Sequence, residues 1–262
     1  MLLTNHQLVI TLNIYEITAR QIPKALGLMA TQRNQGKNFP VSRFTRLLGT
    51  SSAKTFAPID ADLHRWAVLN VWPNYETAQT AAELDSLQRW QQISSASALL
   101  LLTALSVNGS WGGHNPFAPN PNPPQPSPAR PQPNPPNPTP LARKWTGPTA
   151  ALTRARIKPT RWLEFWRSSP PVARELAGSP GLLTAMGIGE APIGLQGTFS
   201  LWQINQDLTN FVQKGHAHRN AIDSATNRGW YAEDLFARLG VIAASGRIGS
   251  LNLFDLHLPS AG

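Results

Sequence analysis

V-L-N-V-W-P-N, residues 68–74, returns as T-F-S-L-W-Q-I at residues 198–204. In both, an apolar run closes on a tryptophan, Trp72 and then Trp202, with an asparagine shortly after it, Asn74 and Asn205. Asparagine is a favoured helix N-cap, because its side-chain oxygen accepts from an amide that the helix leaves free. Each copy therefore reads as a buried strand that turns into a helix.

The flanks of the first tryptophan supply the rest of a unit. Gln7–Ile17 is rich in β-branched residues and reads as a buried strand. Pro23 opens a helix with Leu26, Met29 and Ala30 on one side, and Phe44–Thr50 is a second strand. Arg65–Trp72 is the third, with Trp66, Val68 and Asn70 on one face. A helix runs from Asn74 to about Trp90, with Glu76 in its first turn and Ala78, Ala81, Ala82 and Leu87 on its apolar side. Ser97–Val107 is the fourth strand. The order β-α-β-β-α-β is the ferredoxin-like arrangement.

The second copy has the same order. Strands are predicted over Ala150–Ile157, Leu182–Gly187 and Gly197–Trp202, and within Glu233–Ala244. An aromatic helix region, Thr160–Leu176, carries Trp162, Phe165 and Trp166 and is interrupted by Pro170 and Pro171. The chain thus divides into a first ferredoxin-like repeat (1–117), a linker (118–148) and a second repeat (149–262). The fold class is α+β. The two sheets pair into one barrel, since each half is small for an independent core; the alternative is two separate domains on a tether.

Ala118–Pro140 holds about half of the chain's 24 prolines. Proline lacks the amide donor, so this run reads as a polyproline-II spacer, reaching about 70 Å at roughly 3.1 Å per residue. A plain linker is the simpler reading; a ligand for an SH3- or WW-type groove is the other.

Composition narrows the chemistry. The chain has 262 residues, 41% of them hydrophobic, a formal charge of +9 and a pI near 10.6. Its basic residues are scattered, the closest group being Arg154, Arg156, Lys158 and Arg161, and no nucleic-acid-binding motif accompanies them. With no cysteine, disulfides, thiolate metal sites and thiolate-ligated haem are excluded. No P-loop, H-E-x-x-H or nucleophile elbow occurs. The most apolar run, Ala98–Leu105, is far shorter than the roughly 20 residues of a membrane helix. The expectation is a soluble protein on the cytoplasmic side that can touch a membrane without crossing it.

The helix after Trp202 carries the chemistry. Asp207 sits in its first turn, and Leu208, Phe211, Val212, Ile222 and Ala225 mark one face. At roughly 100° per residue, His218 lies within about 50° of that stripe and His216 more than about 100° away. His218 is the candidate to face inward and hold a metal or haem iron; His216 is the second choice. A hydrogen-bonded core histidine fits the spacing as well. Counting forward from the tryptophans, Gln88 takes the place of His218 in the first copy.

These segments resemble the spheroidene monooxygenase family, which oxygenates acyclic carotenoids. The matching residues are V-W-P-N-Y-E-T-A from Val71, W-G-G-H-N-P-F from Trp111, A-A-L-T-R-A from Ala150 and G-I-G-E-A-P from Gly187. They continue with T-F-S-L-W from Thr198, H-R-N-A-I from His218 and G-W-Y-A-E-D-L-F-A-R from Gly229. The resemblance implies a dimeric-α+β-barrel fold, haem b, and a family histidine that falls on His218. The extra His216, the proline spacer and Arg247-Ile248-Gly249 depart from the family's pattern.

The resemblance also implies a haem-dependent monooxygenase. An apolar polyene is its expected substrate, dioxygen its oxidant, and an external donor such as a ferredoxin its electron source. Arg154, Arg156 and Arg238 are candidate partners for the haem propionates, since guanidinium pairs with carboxylate in bidentate fashion. His114 and Glu190 are further residues to test. The competing readings are a haem-binding protein without turnover and a metal-free α+β barrel that binds a ligand.

Overall fold

The computed structural model describes residues 7–52, 54, 58–118, 140–190, 195–214 and 229–258. The first repeat contains β1 (Val9–Ile17), α1 (Ile22–Thr31), α2 (Gln35–Asn38), β2 (Phe44–Ser51), β3 (Ala61–Trp72), α3 (Tyr75–Thr80), α4 (Asp85–Ile93) and β4 (Ser94–Gly109). After α5 (Pro140–Lys144) the second contains β5 (Thr149–Ile157), α6 (Trp162–Ala177), β6 (Leu182–Gly189), β7 (Leu195–Trp202), α7 (Asn205–Lys214), β8 (Tyr231–Ile248) and the short β9 (Leu251–Asn252).

The strands pair in the order β4-β1-β3-β2-β6-β7-β5-β8, and β8 pairs back with β4. Every one of these pairings is antiparallel. Two ferredoxin-like sheets are thus joined along two seams into one closed eight-stranded barrel. One seam is short, Gly49–Ser51 of β2 against Gly187–Gly189 of β6; the other runs most of the length of β4 and β8. Closure leaves these eight strands no free edge for another chain to add to.

Alternation along each strand builds two layers. Inward residues such as Ile10, Leu12, Ile14, Leu69, Leu100, Leu152, Phe199 and Leu239 form the barrel core. Trp111 and Phe117, after β4, join that core, as does Leu253, after β9. Because β4 and β8 are antiparallel, these plugs close opposite ends. Inward side chains from all eight strands pack into that one core.

The outward faces carry the helices. Asn74 caps α3 as expected, its Oδ1 accepting from the Thr77 amide at 2.8 Å. The single helix expected over 74–90 is instead broken at Leu84, whose backbone is extended. Leu84 packs into both outer clusters of the first repeat, and its carbonyl accepts the Leu87 and Gln88 amides that restart the helix. Conversely, Pro170 and Pro171 do not interrupt α6. Pro171 is exposed, so solvent can serve carbonyls that the missing amides leave free.

The 118–148 spacer is structured at its far end. Trp145 is buried with Leu105 and Ala142, and its ring lies so close to Gly240 that a Cβ there would meet it at 2.6 Å. Among the described residues, no helix is long and apolar enough to cross a membrane.

Candidate functional site

Strand register allows the two repeats to be compared residue by residue on the sheet face beneath the helices. In the first repeat, reading across β2-β3-β1-β4, one row is Gly49-Trp66-Tyr15-Ser97 and the next Leu47-Val68-Asn13-Leu99. The third row is Thr45-Asn70-Thr11-Leu101. The same rows across β6-β7-β5-β8 are Gly189-Gln196-Ala155-Asp234, Gly187-Thr198-Thr153-Phe236 and Ala185-Ser200-Ala151-Arg238. The match holds because Trp72 pairs with Val9 as Trp202 pairs with Thr149.

The first face is filled. Tyr15 stacks on Trp90 of α4 with ring centroids 5.7 Å apart, and Trp66 lies 6.2 Å from the same ring. Tyr15, Trp66 and Val68 are 3%, 5% and 0% exposed. In the second face Ala155, Gln196 and Thr198 stand in their places, and all three are half-buried. Leu47 is likewise replaced by Gly187. Two aromatic and two aliphatic side chains of the first layer thus have smaller or polar counterparts in the second, where Phe236 stands in place of Leu99. Over this layer stands α6, whose Trp166 Nε1 donates to Gln196 Oε1 at 3.3 Å. Phe165 packs edge-on against Trp230 and Tyr231 at its rim.

Arg238 enters the same layer where the first repeat has the buried Leu101. Its Nη1 donates to Thr209 Oγ1 of α7 at 3.0 Å, while its buried Nε has no partner among the described residues. Burial pulls its pKa below the usual guanidinium value. A cation in an otherwise apolar and small-residue layer, with donor capacity unspent, is suited to an anionic group brought by a ligand.

Arg154 lies on the other side of the sheet. It points into one end of the barrel and pairs there with Glu233 and, at 3.1 Å, with Glu190. Arg46 of β2 adds a third ion pair, 2.8 Å from Glu190, so this cluster ties the two repeats together. The Trp111 indole donates to Glu190 at 2.8 Å, and Glu233 also accepts from Ser110 and from the Gly113 amide at 2.7 Å. Burial alone raises the Glu233 carboxyl. The Gly113 amide and the Arg154 guanidinium outweigh it, and the group titrates below the ordinary carboxylate range.

Arg154 is therefore committed to carboxylates of its own chain, and Arg156, two residues on, is exposed near the end of β5. Neither shares a face with Arg238. His114 lies edge-on to Phe44 beside the ion-pair cluster, not in the helix layer. Asp207 and Leu208 lie in α7 as expected, with Leu208 buried and Phe211 and Val212 packed beside it. His216 and His218 lie outside the described residues.

No protein-family model matches the chain. It is similar in sequence to proteins named spheroidene monooxygenase. That from Cereibacter sphaeroides is 29% identical over 224 residues, 85% of this chain and 63% of that protein. That from Rhodobacter capsulatus is 28% identical over 233 residues, 86% of both. A third, from Rubrivivax gelatinosus, is 36% identical over 100 residues, 38% of each. The chain thus spans a little under two thirds of the length of the first of these. Among solved structures, an aldoxime dehydratase in complex with butyraldoxime has a TM-score of 0.56 at 9% identity, over 90% of this chain and 80% of that one. Another aldoxime dehydratase has a TM-score of 0.53 at 10% identity, over 90% and 82%. At this identity the likeness concerns the fold, the dimeric α+β barrel.

Proposed function

We propose that this protein is a haem-dependent monooxygenase that oxygenates an acyclic carotenoid or a similar apolar polyene. The observation that carries the proposal is the smaller, more polar set of residues in the helix-facing layer of the second repeat. The first repeat retains Tyr15, Trp66, Leu47 and Val68 there, while the second has Ala155, Gln196, Gly187 and Thr198. Side chains this much smaller in one of two equivalent layers suit it to accommodate a ligand. Similarity to proteins named spheroidene monooxygenase supports the reaction class and substrate.

The residues suit a propionate-bearing macrocycle. His218, with His216 as second choice, would hold the iron. Arg238 would meet a propionate, a role for which Arg154 is not free. Haem, when bound, supplies dioxygen activation with electrons from an external donor such as a ferredoxin. The chain's own contribution would be exclusion of water and orientation: Phe165, Trp166 and Phe236 would present apolar surface to a polyene beside the small side chain of Ala155. A polyene partitions into bilayers, so delivery from a membrane surface would suit the charge of +9.

The test is the absorption spectrum of protein purified from cells supplied with haem. A Soret band is expected, together with oxygenated product when the gene is expressed in a host that makes an acyclic carotenoid. A band without product would leave a haem-binding protein; no band would leave the metal-free barrel.

A further inference from the structure

The helix over the second repeat's layer, α6, has another side. Ser169, Ala173 and Leu176 are buried, Leu176 in one cluster with Ala151 and Trp202. Leu163, Arg167, Pro171 and Arg174 are exposed, Leu163 to 59%. They follow one another at helical spacing, so they form one row, about 16 Å long at about 1.5 Å per residue. Arg156 and Lys158, just before the helix, are exposed as well. The row holds no carboxylate. Glu164 and Glu175 lie beside it and are half-buried, and Glu164 takes Arg161 as a partner at 3.3 Å. Among the described residues, Arg156, Lys158, Arg167 and Arg174 have no ion-pair partner.

We infer that this face of α6 rests on a bilayer containing anionic lipid. Four cations complement the charge of such a surface. An arginine lays its aliphatic stem along the acyl boundary and keeps its guanidinium among the headgroups, and a leucine exposed in the same row gains by leaving water. An acidic protein would meet the charges but not Leu163. The purpose of the contact rests on the polyene reading: the helix laid against the substrate's source is the one that covers the substrate layer. Lipid binding itself needs neither haem nor turnover, so it is measured apart from them.

The full chain is sedimented with vesicles of phosphatidylcholine alone, or of an equal mixture of phosphatidylcholine and phosphatidylglycerol. Binding is expected only to the anionic vesicles, and is lost at about 1 M salt. Arg167→Gln with Arg174→Gln is expected to weaken it about 25-fold, about fivefold for each cation withdrawn. The chain has no cysteine, so Leu163→Cys takes a single environment-sensitive label. Gln91→Cys, exposed on α4 of the first repeat, is the reference. On anionic vesicles the label at 163 is expected to brighten and shift to the blue, and the label at 91 to stay as in water. No sedimentation of the wild type with anionic vesicles would overturn the assignment, as would sedimentation with an unshifted label at 163. Unchanged vesicle affinity in the double arginine variant would overturn it too; if that variant also lost salt-sensitive binding to an acidic ferredoxin, the face belongs to a protein partner. A Soret band without vesicle binding removes the docking face and keeps the haem reading. Vesicle binding without a Soret band does the reverse.

Discussion

Tyr15 and Ala155 occupy the same place in the two repeats. Tyr15 pairs with Trp66 and stacks on Trp90, whereas Ala155 pairs with Gln196 and carries no ring. Returning the first repeat's residues to the second, Ala155→Tyr with Gln196→Trp, should therefore close the layer. The expected protein is folded, melts no lower than wild type and binds haem at least about tenfold more weakly. Retention of wild-type haem binding in that double variant would show that the cofactor lies elsewhere.

His218→Ala is expected to abolish the Soret band and His216→Ala to preserve it. The spacing of His218 from Leu208, Phe211 and Val212 in the sequence favours this order. Absorption spectra of the two variants decide between them.

Arg238→Leu copies Leu101 of the first repeat. Removing a half-buried cation in favour of an apolar residue is expected to leave thermal stability unchanged or raise it. Haem retention is expected to fall about tenfold if a propionate is lost as a partner. Thermal melts and haem transfer to apomyoglobin measure the two effects separately.

Glu233→Gln leaves Arg154 with an uncompensated side in the barrel end. The expected cost at neutral pH is about 3 kcal/mol. The wild-type carboxyl titrates lower in the folded chain than in the unfolded one. Its contribution is therefore full above the unfolded value of about 4.3 and is lost as pH falls through the folded value. Denaturant midpoints from neutral pH downward should fall less steeply in Glu233→Gln than in wild type.

Trp90→Ala tests the filled layer. Trp90 is fully buried and stacked on Tyr15, so a loss of about 3–5 kcal/mol is expected, with haem binding by the folded fraction unchanged. Urea unfolding followed by haem titration below the transition measures both.

The strands were legible because they are long and apolar on both faces, as in the β3 run Trp66–Trp72. The duplication was legible because Trp72 and Trp202 recur before an asparagine. The break at Leu84 was not, since it depends on one side chain shared by two clusters that form only in the folded protein. Nor was the Arg46-Glu190-Arg154-Glu233 cluster, which brings together residues from four separated segments. Glu190 could be read only as a pocket carboxylate or a turn residue until Trp111 and two arginines stood around it. The difference between the two layers was present in the letters, Tyr15 against Ala155 and Trp66 against Gln196. It became visible once pairing register said which letters to compare.

Covalent joining of the two repeats has a consequence for how such a layer can arise. In a barrel assembled from two identical subunits, every substitution is made twice. Cutting away Tyr15 or Trp66 would then weaken both helix layers at once. A single chain escapes that constraint: one half keeps its aromatic packing and holds the fold, while the other is at liberty to lose it.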